Sequence, residues 1–116
     1  MRELVRIPKS LSDETRIRML KLLLEKDICV CEMKEIFPLS QSQVSRNLKV
    51  LTEAGFLKRW HEGKCVVYLA DRENSNRYCR AILDALIDSF NDDPLLCQSR
   101  EKLKDVAARE MREKKK

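Results

Sequence analysis

The chain has 116 residues, the length of one domain, and a formal net charge of +5. It contains only 2 Gly and 3 Pro, and 37% of its residues are charged, which is typical of a mainly helical folded protein. Collagen-like and low-complexity classes are therefore excluded, and no apolar run approaches the ~18 residues of a membrane span. The N-terminus is charged and lacks the apolar segment of a secretory signal, so we expect a cytoplasmic protein without a membrane partner.

The first half of the chain predicts helices separated by short turns. Helical periodicity over residues 11–26 predicts a helix with Ser12 as its N-cap. A second, shorter helix is expected over residues 29–37, where the following proline ends it. Gln41–Ala54 predicts a third helix, and Gly55 ends that helix as a C′ residue.

The second half begins with the segments most typical of strands. Residues 56–60 and 64–69 are rich in Val, Phe, Trp and Tyr, and residues 61–63 between them contain a glycine. This pattern predicts a β-hairpin with a charged tip. Two further helices are expected, over residues 72–90 and from about residue 94 to residue 112.

Two short helices, a brief turn and then a hairpin are the order of a winged helix-turn-helix. The fold class expected is mainly α with a small β-hairpin, in a single domain that forms a homodimer. Residues 11–71 would form the DNA-binding core, and residues 1–10 and 72–112 the dimerisation helices. The basic tail, residues 113–116, is expected to be frayed.

Charge is unevenly distributed along the chain. Residues 40–64 carry five basic and two acidic side chains, whereas residues 71–93 carry three basic and six acidic ones. A positive third helix and hairpin beside a negative long helix is typical of a DNA-binding face that is separate from a dimer face.

The third predicted helix has one apolar stripe, formed by Val44, Leu48 and Leu51, and a polar opposite face. Short polar side chains, with one Arg and one Lys, are suited to base edges and phosphates. The outward-facing residues are Gln41, Ser42, Gln43, Ser45, Arg46, Asn47 and Lys49. At the hairpin, His61 and Lys64 are candidates for contacts with the DNA backbone or the minor groove.

Residues 39–64, LSQSQVSRNLKVLTEAGFLKRWHEGK, carry the most specific pattern in the chain. Together with the rest of residues 11–71, they resemble the ArsR/SmtB family of metalloregulatory repressors. The resemblance implies a homodimeric winged-helix repressor that binds double-stranded operator DNA and leaves it when a toxic metal or metalloid ion binds. It implies DNA contacts at Ser40, Gln41, Ser42, Ser45, Arg46 and Asn47.

The five cysteines are an odd number in an expected reducing compartment, which argues for ligands or small buried hydrophobes and against a disulfide framework. The segment Asp27-Ile28-Cys29-Val30-Cys31-Glu32-Met33 is similar to the thiol motif of arsenite-sensing family members. Cys29 and Cys31 match its first two ligands. Its third cysteine position falls on Lys34, which cannot act as a thiolate.

The spacing of Cys29 and Cys31 imposes a geometric condition. In a helix, side chains two residues apart point about 200° away from each other. Two thiolates on one ion must lie within roughly 4 Å of each other, since each is about 2.3 Å from the ion. Binding both therefore requires an extended or unwound start to the second helix, and an ion that favours such a conformation would act as an inducer.

The third ligand is open among the remaining cysteines. Cys97 is the first choice because it follows a helix break near the chain end; Cys79 and Cys65 come next, although either is commonly a structural residue. Met33 and Trp60 are expected in the core.

The main hypothesis is a repressor released by As(III) or Sb(III), with no organic cofactor. The alternatives are a cadmium- or lead-responsive repressor and a thiol-redox-responsive one with the same fold. A winged-helix module that binds proteins and not DNA would differ by the absence of a salt-dependent DNA affinity. We expect no enzymatic activity, because the chain has a single His and no phosphate-binding loop or hydrolase motif.

Overall fold

A computed structural model describes residues 2–74 and 76–114 and contains helices, short strands and tight connections. The helices are α1 (Arg2–Ser10), α2 (Glu14–Glu25), α3 (Val30–Ile36), α4 (Gln41–Ala54), α5 (Arg77–Ile87) and α6 (Pro94–Lys114). The strands are β1 (Ile28–Cys29), β2 (Leu57–Glu62) and β3 (Cys65–Ala70). They form one antiparallel sheet in the order β1-β3-β2. The predicted mainly helical winged fold is confirmed.

The strand β1 is absent from the sequence-based prediction, which has only a two-stranded hairpin. Ile28 pairs with Tyr68 and Cys29 pairs with Val67. Two residues are too short for a periodic signal, and the pairing depends on a strand about 40 residues further along the chain. The helix predicted to begin at residue 29 therefore begins at Val30.

The hairpin turn is tighter than predicted. The strand β2 continues through His61 to Glu62, so the turn comprises Gly63 and Lys64 and not residues 61–63. Gly63 has φ 62°, at the position where a type II′ two-residue turn places glycine. His61 lies opposite Val66. Trp60 is 38% exposed, so its predicted place in the core is wrong.

The helix-turn-helix forms around apolar stripes on α2, α3 and α4. Met33 is fully buried, as predicted, and so are Leu20, Val44, Leu48 and Leu51. Burying each large aliphatic side chain stabilises the fold by roughly 1.5–3 kcal/mol. The core therefore fixes the orientation of α4 and leaves its polar face in solvent.

The N-cap of α2 is Asp13 and not the predicted Ser12. The Asp13 carboxylate accepts hydrogen bonds from the backbone N–H groups of Thr15 and Arg16, at 2.8 and 3.2 Å. Ser12 instead donates its hydroxyl to the carbonyl oxygen of Lys9, at 2.7 Å, at the end of α1. A carboxylate accepts two bonds and also favours the positive end of the helix dipole.

The helix α5 begins at Arg77, five residues after the predicted start, and it ends at Ile87. Asn76 caps it by accepting from the backbone N–H of Tyr78 at 2.9 Å. Asn74 bonds the carbonyl oxygen of Gly55 at 2.8 Å, at the end of α4. Asparagine side chains compete with helical hydrogen bonds in this way, so this segment forms a turn.

The helix α6 packs against α3 and α2. Arg109 pairs with Glu35 of α3 at 2.9 Å, and Arg100 pairs with Glu25 of α2 at 2.8 Å. The helix continues to Lys114, past its predicted end at residue 112, and residues 115–116 of the predicted tail lie outside the described residues. Among the described helices, none is long and apolar enough to cross a bilayer.

We expect Gly55→Ala to lower the free energy of unfolding by about 1–3 kcal/mol for the sparsely populated backbone conformation and by about 1–3 kcal/mol more for overpacking against its neighbours. Gly55 has φ 100°, and an added Cβ would lie 3.1 Å from Asn74 Nδ2 and 3.2 Å from Cys79 Sγ. Urea denaturation at equal protein concentrations measures the change. Gly63→Ala is the matched control, because its Cβ would meet open space and only the backbone is strained. An equal or greater loss in the control would contradict this account.

Candidate DNA-binding face and thiol site

The start of α4 is fixed by a reciprocal pair of hydrogen bonds. The Ser40 hydroxyl accepts from the backbone N–H of Gln43 at 3.2 Å, and Gln43 Oε1 accepts from the backbone N–H of Ser40 at 2.9 Å. This capping box satisfies two groups that the helix start would otherwise leave unpaired. Both predicted DNA-contact residues therefore also have a structural role, and the Gln43 amide nitrogen remains outside the capping box.

The outward face of α4 agrees with the predicted one. Gln41, Ser42, Gln43, Ser45, Arg46 and Lys49 are exposed, and Asn47 is partly buried. Most of these residues lie in the first two turns, the part of a recognition helix that contacts base edges in known helix-turn-helix proteins. The Lys49 ammonium lies 3.9 Å from the Glu53 carboxylate, in an exposed pair that contributes little stability.

The hairpin, hereafter the wing (residues 57–70), adds a basic edge. Lys58, Arg59, His61 and Lys64 are all exposed. Arg59 donates to the Tyr68 hydroxyl at 3.4 Å. The structure thus places the predicted His61 along β2 and the predicted Lys64 at the turn.

A groove of about 590 Å³ separates α4 from the wing. It is lined by polar residues of α4, basic residues of the wing and two cysteines, among them Gln41, Ser45, Arg59, Lys64, Cys31 and Cys65. We call it the α4–wing groove. Four of the predicted DNA-contact residues (Gln41, Ser45, Lys49 and Lys64) and two of the thiols therefore share one concave surface.

The sulfurs of Cys29 and Cys31 are 3.3 Å apart. Cys29 has extended backbone (φ −86°, ψ 161°) as the N-cap of α3, and Cys31 lies in the first turn of that helix. This extended start meets the condition set by the two-residue spacing. Because the fold itself supplies this extended residue, gathering the two sulfurs requires no unwinding of α3.

Glu32 supports this arrangement and was missed in the sequence analysis. Its buried carboxylate accepts from the backbone N–H of Cys29 at 3.0 Å. The pattern Cys-x-x-Glu matches the spacing of a capping box, and that spacing is the signal by which it could have been found. Burial raises the pKa of the Cys29 thiol more than the hydrogen bond from the Glu32 backbone N–H lowers it, and the Glu32 carboxylate raises it further, so this thiol is protonated at neutral pH.

Of the other cysteines, the structure brings Cys65 next to the pair. Its sulfur lies 4.0 Å from that of Cys31, and both residues are exposed. Cys79 is fully buried and donates to the carbonyl oxygen of Ala54 at 3.2 Å. Cys97, the first choice from the sequence, contacts the carbonyl oxygen of Asn91 at 3.6 Å at the start of α6.

Among the three neighbouring thiols, Cys31 contacts both Cys29 and Cys65. Across residues 2–74 and 76–114, no group of three or more His, Cys, Asp or Glu side chains is already arranged to hold a metal ion. The arrangement is therefore a pair of thiols in contact, with a third sulfur that must move closer to the pair to share one ion.

A helix-turn-helix followed by a basic hairpin defines the chain as a winged helix-turn-helix protein. A sequence profile described as "Bacterial regulatory protein, arsR family" matches residues 13–59. The arsenic resistance transcriptional regulator ArsR1 of Pseudomonas putida is 38% identical over 93 residues, which are 77% of this chain and 72% of that protein. The chain belongs to the ArsR family of transcription regulators, and the resemblance seen in the sequence is confirmed.

Two further similarities bear on the site and the fold. A homologue of the cadmium resistance regulatory protein CadC from Staphylococcus aureus is 36% identical over 73 residues, 62% of this chain and 60% of that protein. A homodimeric winged helix-turn-helix DNA-binding domain from Mycobacterium bovis superposes with a TM-score of 0.62 at 22% identity. That match covers 80% of this chain and 82% of the other, and it supports the fold alone.

Proposed function

We propose that this protein is a homodimeric repressor that binds operator DNA in the cytoplasm and leaves it when As(III) or Sb(III) binds the thiolates of Cys29 and Cys31. The observation that carries the proposal is the 3.3 Å contact between these sulfurs, with Cys31 on the α4–wing groove. The arsenic resistance regulator among the similar proteins supports the choice of inducer.

The DNA-binding half of the proposal rests on the exposed face of α4. This helix enters the major groove, where Gln41 and Asn47 suit adenine edges and Arg46 suits guanine or a phosphate. Short hydroxyl side chains and Lys49 hold the backbone, as do His61 and Lys64 of the wing. The proposed contacts are Ser40, Gln41, Ser42, Gln43, Ser45, Arg46, Asn47, Lys49, His61 and Lys64.

Dimerisation is assigned to α1 and the C-terminal helices. The M. bovis domain with this fold is homodimeric, and a two-fold dimer presents two α4 helices to half-sites about one helical turn apart. Val5 of α1 and Leu95 of α6 are exposed apolar residues that a second subunit would cover. Since α6 also packs on α3, the thiol-bearing helix lies between the proposed dimer contacts and the recognition helix.

The chemistry of the pair suits a soft ion. Two sulfurs that each lie about 2.3 Å from one ion, with a sulfur–ion–sulfur angle of roughly 90–110°, are about 3.3–3.8 Å from each other. The observed separation is within that range. Thiolates select soft or borderline ions, so As(III) and Sb(III) fit the pair, and cadmium or lead is the alternative inducer.

Release from DNA follows if the ion binds the DNA-free conformation more tightly than the DNA-bound one. Reversing a population ratio from 99:1 to 1:99 requires about 5.5 kcal/mol of differential affinity. The ion binds at the start of α3, and α3 packs directly against α4. Ion binding therefore favours one orientation of the recognition helix over another.

Replacing Arg46 tests the DNA contact. We expect Arg46→Ala to weaken operator binding by about 1–3 kcal/mol per half-site and to make the affinity less dependent on salt if the contact is to phosphate. Fluorescence anisotropy on a duplex selected from a random pool, at several salt concentrations, measures both. Lys26→Ala removes an exposed cation outside α4 and the wing and should change neither. An unchanged affinity in Arg46→Ala would show that α4 does not read DNA.

Serine substitutions test the inducer site. We expect Cys29→Ser and Cys31→Ser each to retain operator binding and to lose release by arsenite, because a hydroxyl is a poor ligand for a soft ion. The same anisotropy assay, on reduced protein under anaerobic conditions, follows the release. Cys79→Ser, away from the groove, should respond like the unmodified protein. If the double variant Cys29→Ser/Cys31→Ser still leaves DNA on addition of arsenite, the site is elsewhere.

The pH dependence of release distinguishes the inducers. Arsenous acid, As(OH)3, exchanges each OH for a thiol and forms water, so no net proton is released. Cd²⁺ must displace the proton of the Cys29 thiol, because the raised pKa of that thiol keeps it protonated at neutral pH. As the pH rises from 6.5 to 8.0, we expect the half-release concentration of arsenite to change by less than about threefold. We expect that of Cd²⁺ to fall about tenfold per pH unit, because binding displaces the Cys29 proton.

Operator affinity without inducer, measured at each pH, corrects for any effect on DNA binding itself. Release by Cd²⁺ but not by arsenite would identify the cadmium-responsive alternative. Release by a thiol oxidant, reversed by a reductant, would identify the redox alternative. The raised pKa of Cys29 argues against the latter, because the thiolate is the reactive form.

A further inference from the structure

The strand register places a third thiol on the same side of the sheet as Cys29. Cys29 pairs with Val67, so these two side chains share a face. Cys65 lies two residues before Val67 in β3, and side chains two residues apart in a strand point to the same face. Cys65 is therefore the diagonal neighbour of Cys29, a relation that only the short strand β1 creates.

The sulfur distances point to the same group. Cys31 contacts both of the other thiols, with its sulfur 3.3 Å from that of Cys29 and 4.0 Å from that of Cys65. Sulfurs that share one ion lie about 3.3–3.8 Å apart, so the Cys31–Cys65 distance has to shorten by a few tenths of an ångström and the Cys65 sulfur also has to approach that of Cys29. Cys65 is the first residue after the Gly63–Lys64 turn and is exposed, so a small movement of the wing is enough to bring it closer.

The other candidates for a third thiol have different surroundings. Cys79 is a buried residue of α5. Its thiol donates to the carbonyl oxygen of Ala54, at the end of α4, and would contact a Cβ added at Gly55. Cys97 lies at the start of α6, beside Asn91. A ligand role for either would require a larger rearrangement or a second subunit.

We propose that Cys65 of the wing is the third thiolate, and that the ion therefore joins the start of α3 to the wing. This inference rests on the proposed function and names the ligand set of that site. As(OH)3 reacts with the three thiols: three As–O bonds break, three As–S bonds form, and three waters leave with the thiol protons. Arsenic remains trivalent, and no oxidant or reductant is needed.

This ligand set connects sensing to DNA release. Cys65 follows Lys64 directly, and both line the α4–wing groove. Drawing the Cys65 sulfur toward Cys29 and Cys31 pulls the base of the wing turn toward α3 and moves Lys64 relative to α4. An operator that requires both α4 and the wing in register loses one of the two contacts, so the ion favours the DNA-free conformation.

Arsenic K-edge X-ray absorption on the full-length, reduced protein loaded with arsenite counts the sulfur ligands directly. We expect three sulfurs in the unmodified protein and in Cys97→Ser, and two sulfurs with one oxygen in Cys65→Ser and Cys65→Ala. We also expect the arsenite concentration for half-release, relative to each variant's own operator affinity, to rise at least about 10-fold in both Cys65 variants. Loss of even a residue that only hydrogen-bonds a metal ligand lowers the affinity for the metal about 10- to 100-fold.

Circular dichroism and the thermal midpoint show whether each variant is folded, and agreement between the serine and alanine variants excludes a defect specific to one side chain. Three sulfurs in both Cys65 variants but two in Cys97→Ser would overturn the inference in favour of Cys97. Two sulfurs in the unmodified protein, with release intact, would overturn it and leave the proposed function standing. If arsenite binds no sulfur at all and releases no DNA, the proposed function fails as well.

Discussion

The start of α3 at Cys29 is the constraint on which the candidate site depends. At this one residue the chain leaves the sheet, where Cys29 pairs with Val67, and enters the helix that begins at Val30. The buried Glu32 carboxylate holds the transition by accepting from the Cys29 backbone N–H. An extended residue followed directly by a helical turn is what lets two side chains two positions apart converge, which neither a continuous helix nor a free loop would ensure.

The position of α3 in the fold extends this local constraint to the whole molecule. The helix packs against α4 on one side and α6 on another, and β1 links its start to the wing. Buried Leu96, Leu103 and Val106 hold α6 against the core, whereas exposed ion pairs such as Arg109 with Glu35 contribute little to stability. A tightly packed interior transmits a shift of one element to its neighbours, so a shift at the start of α3 reaches α4, α6 and the wing together.

Much of the fold could be predicted from local pattern. The apolar stripe of α4 predicted both its buried and its polar face, and Gly55 marked its end, where φ 100° confirms the need for glycine. Errors occurred where a competing interaction was stronger than local propensity. Asp13 and not Ser12 caps α2, because the Asp13 carboxylate accepts two hydrogen bonds. Asn74 is not part of the helix predicted for it, because its side-chain amide donates to the carbonyl oxygen of Gly55. Trp60 was assigned to the core by residue type, yet the edge strand β2 exposes it.

The sequence by itself determined the class of the protein, the polar face of its recognition helix and the candidacy of Cys29 and Cys31, because each depends on residues close together in the chain. Only the tertiary structure decided which other thiol stands beside them. Cys65, Cys79 and Cys97 follow Cys31 by 34, 48 and 66 residues, which is too far for any local pattern, but strand pairing across about 40 residues carries Cys65 to Cys31. Packing places Cys79 under α4 and Cys97 at the start of α6. Contacts of this range depend on the register of strands and the docking of helices, which no local pattern encodes.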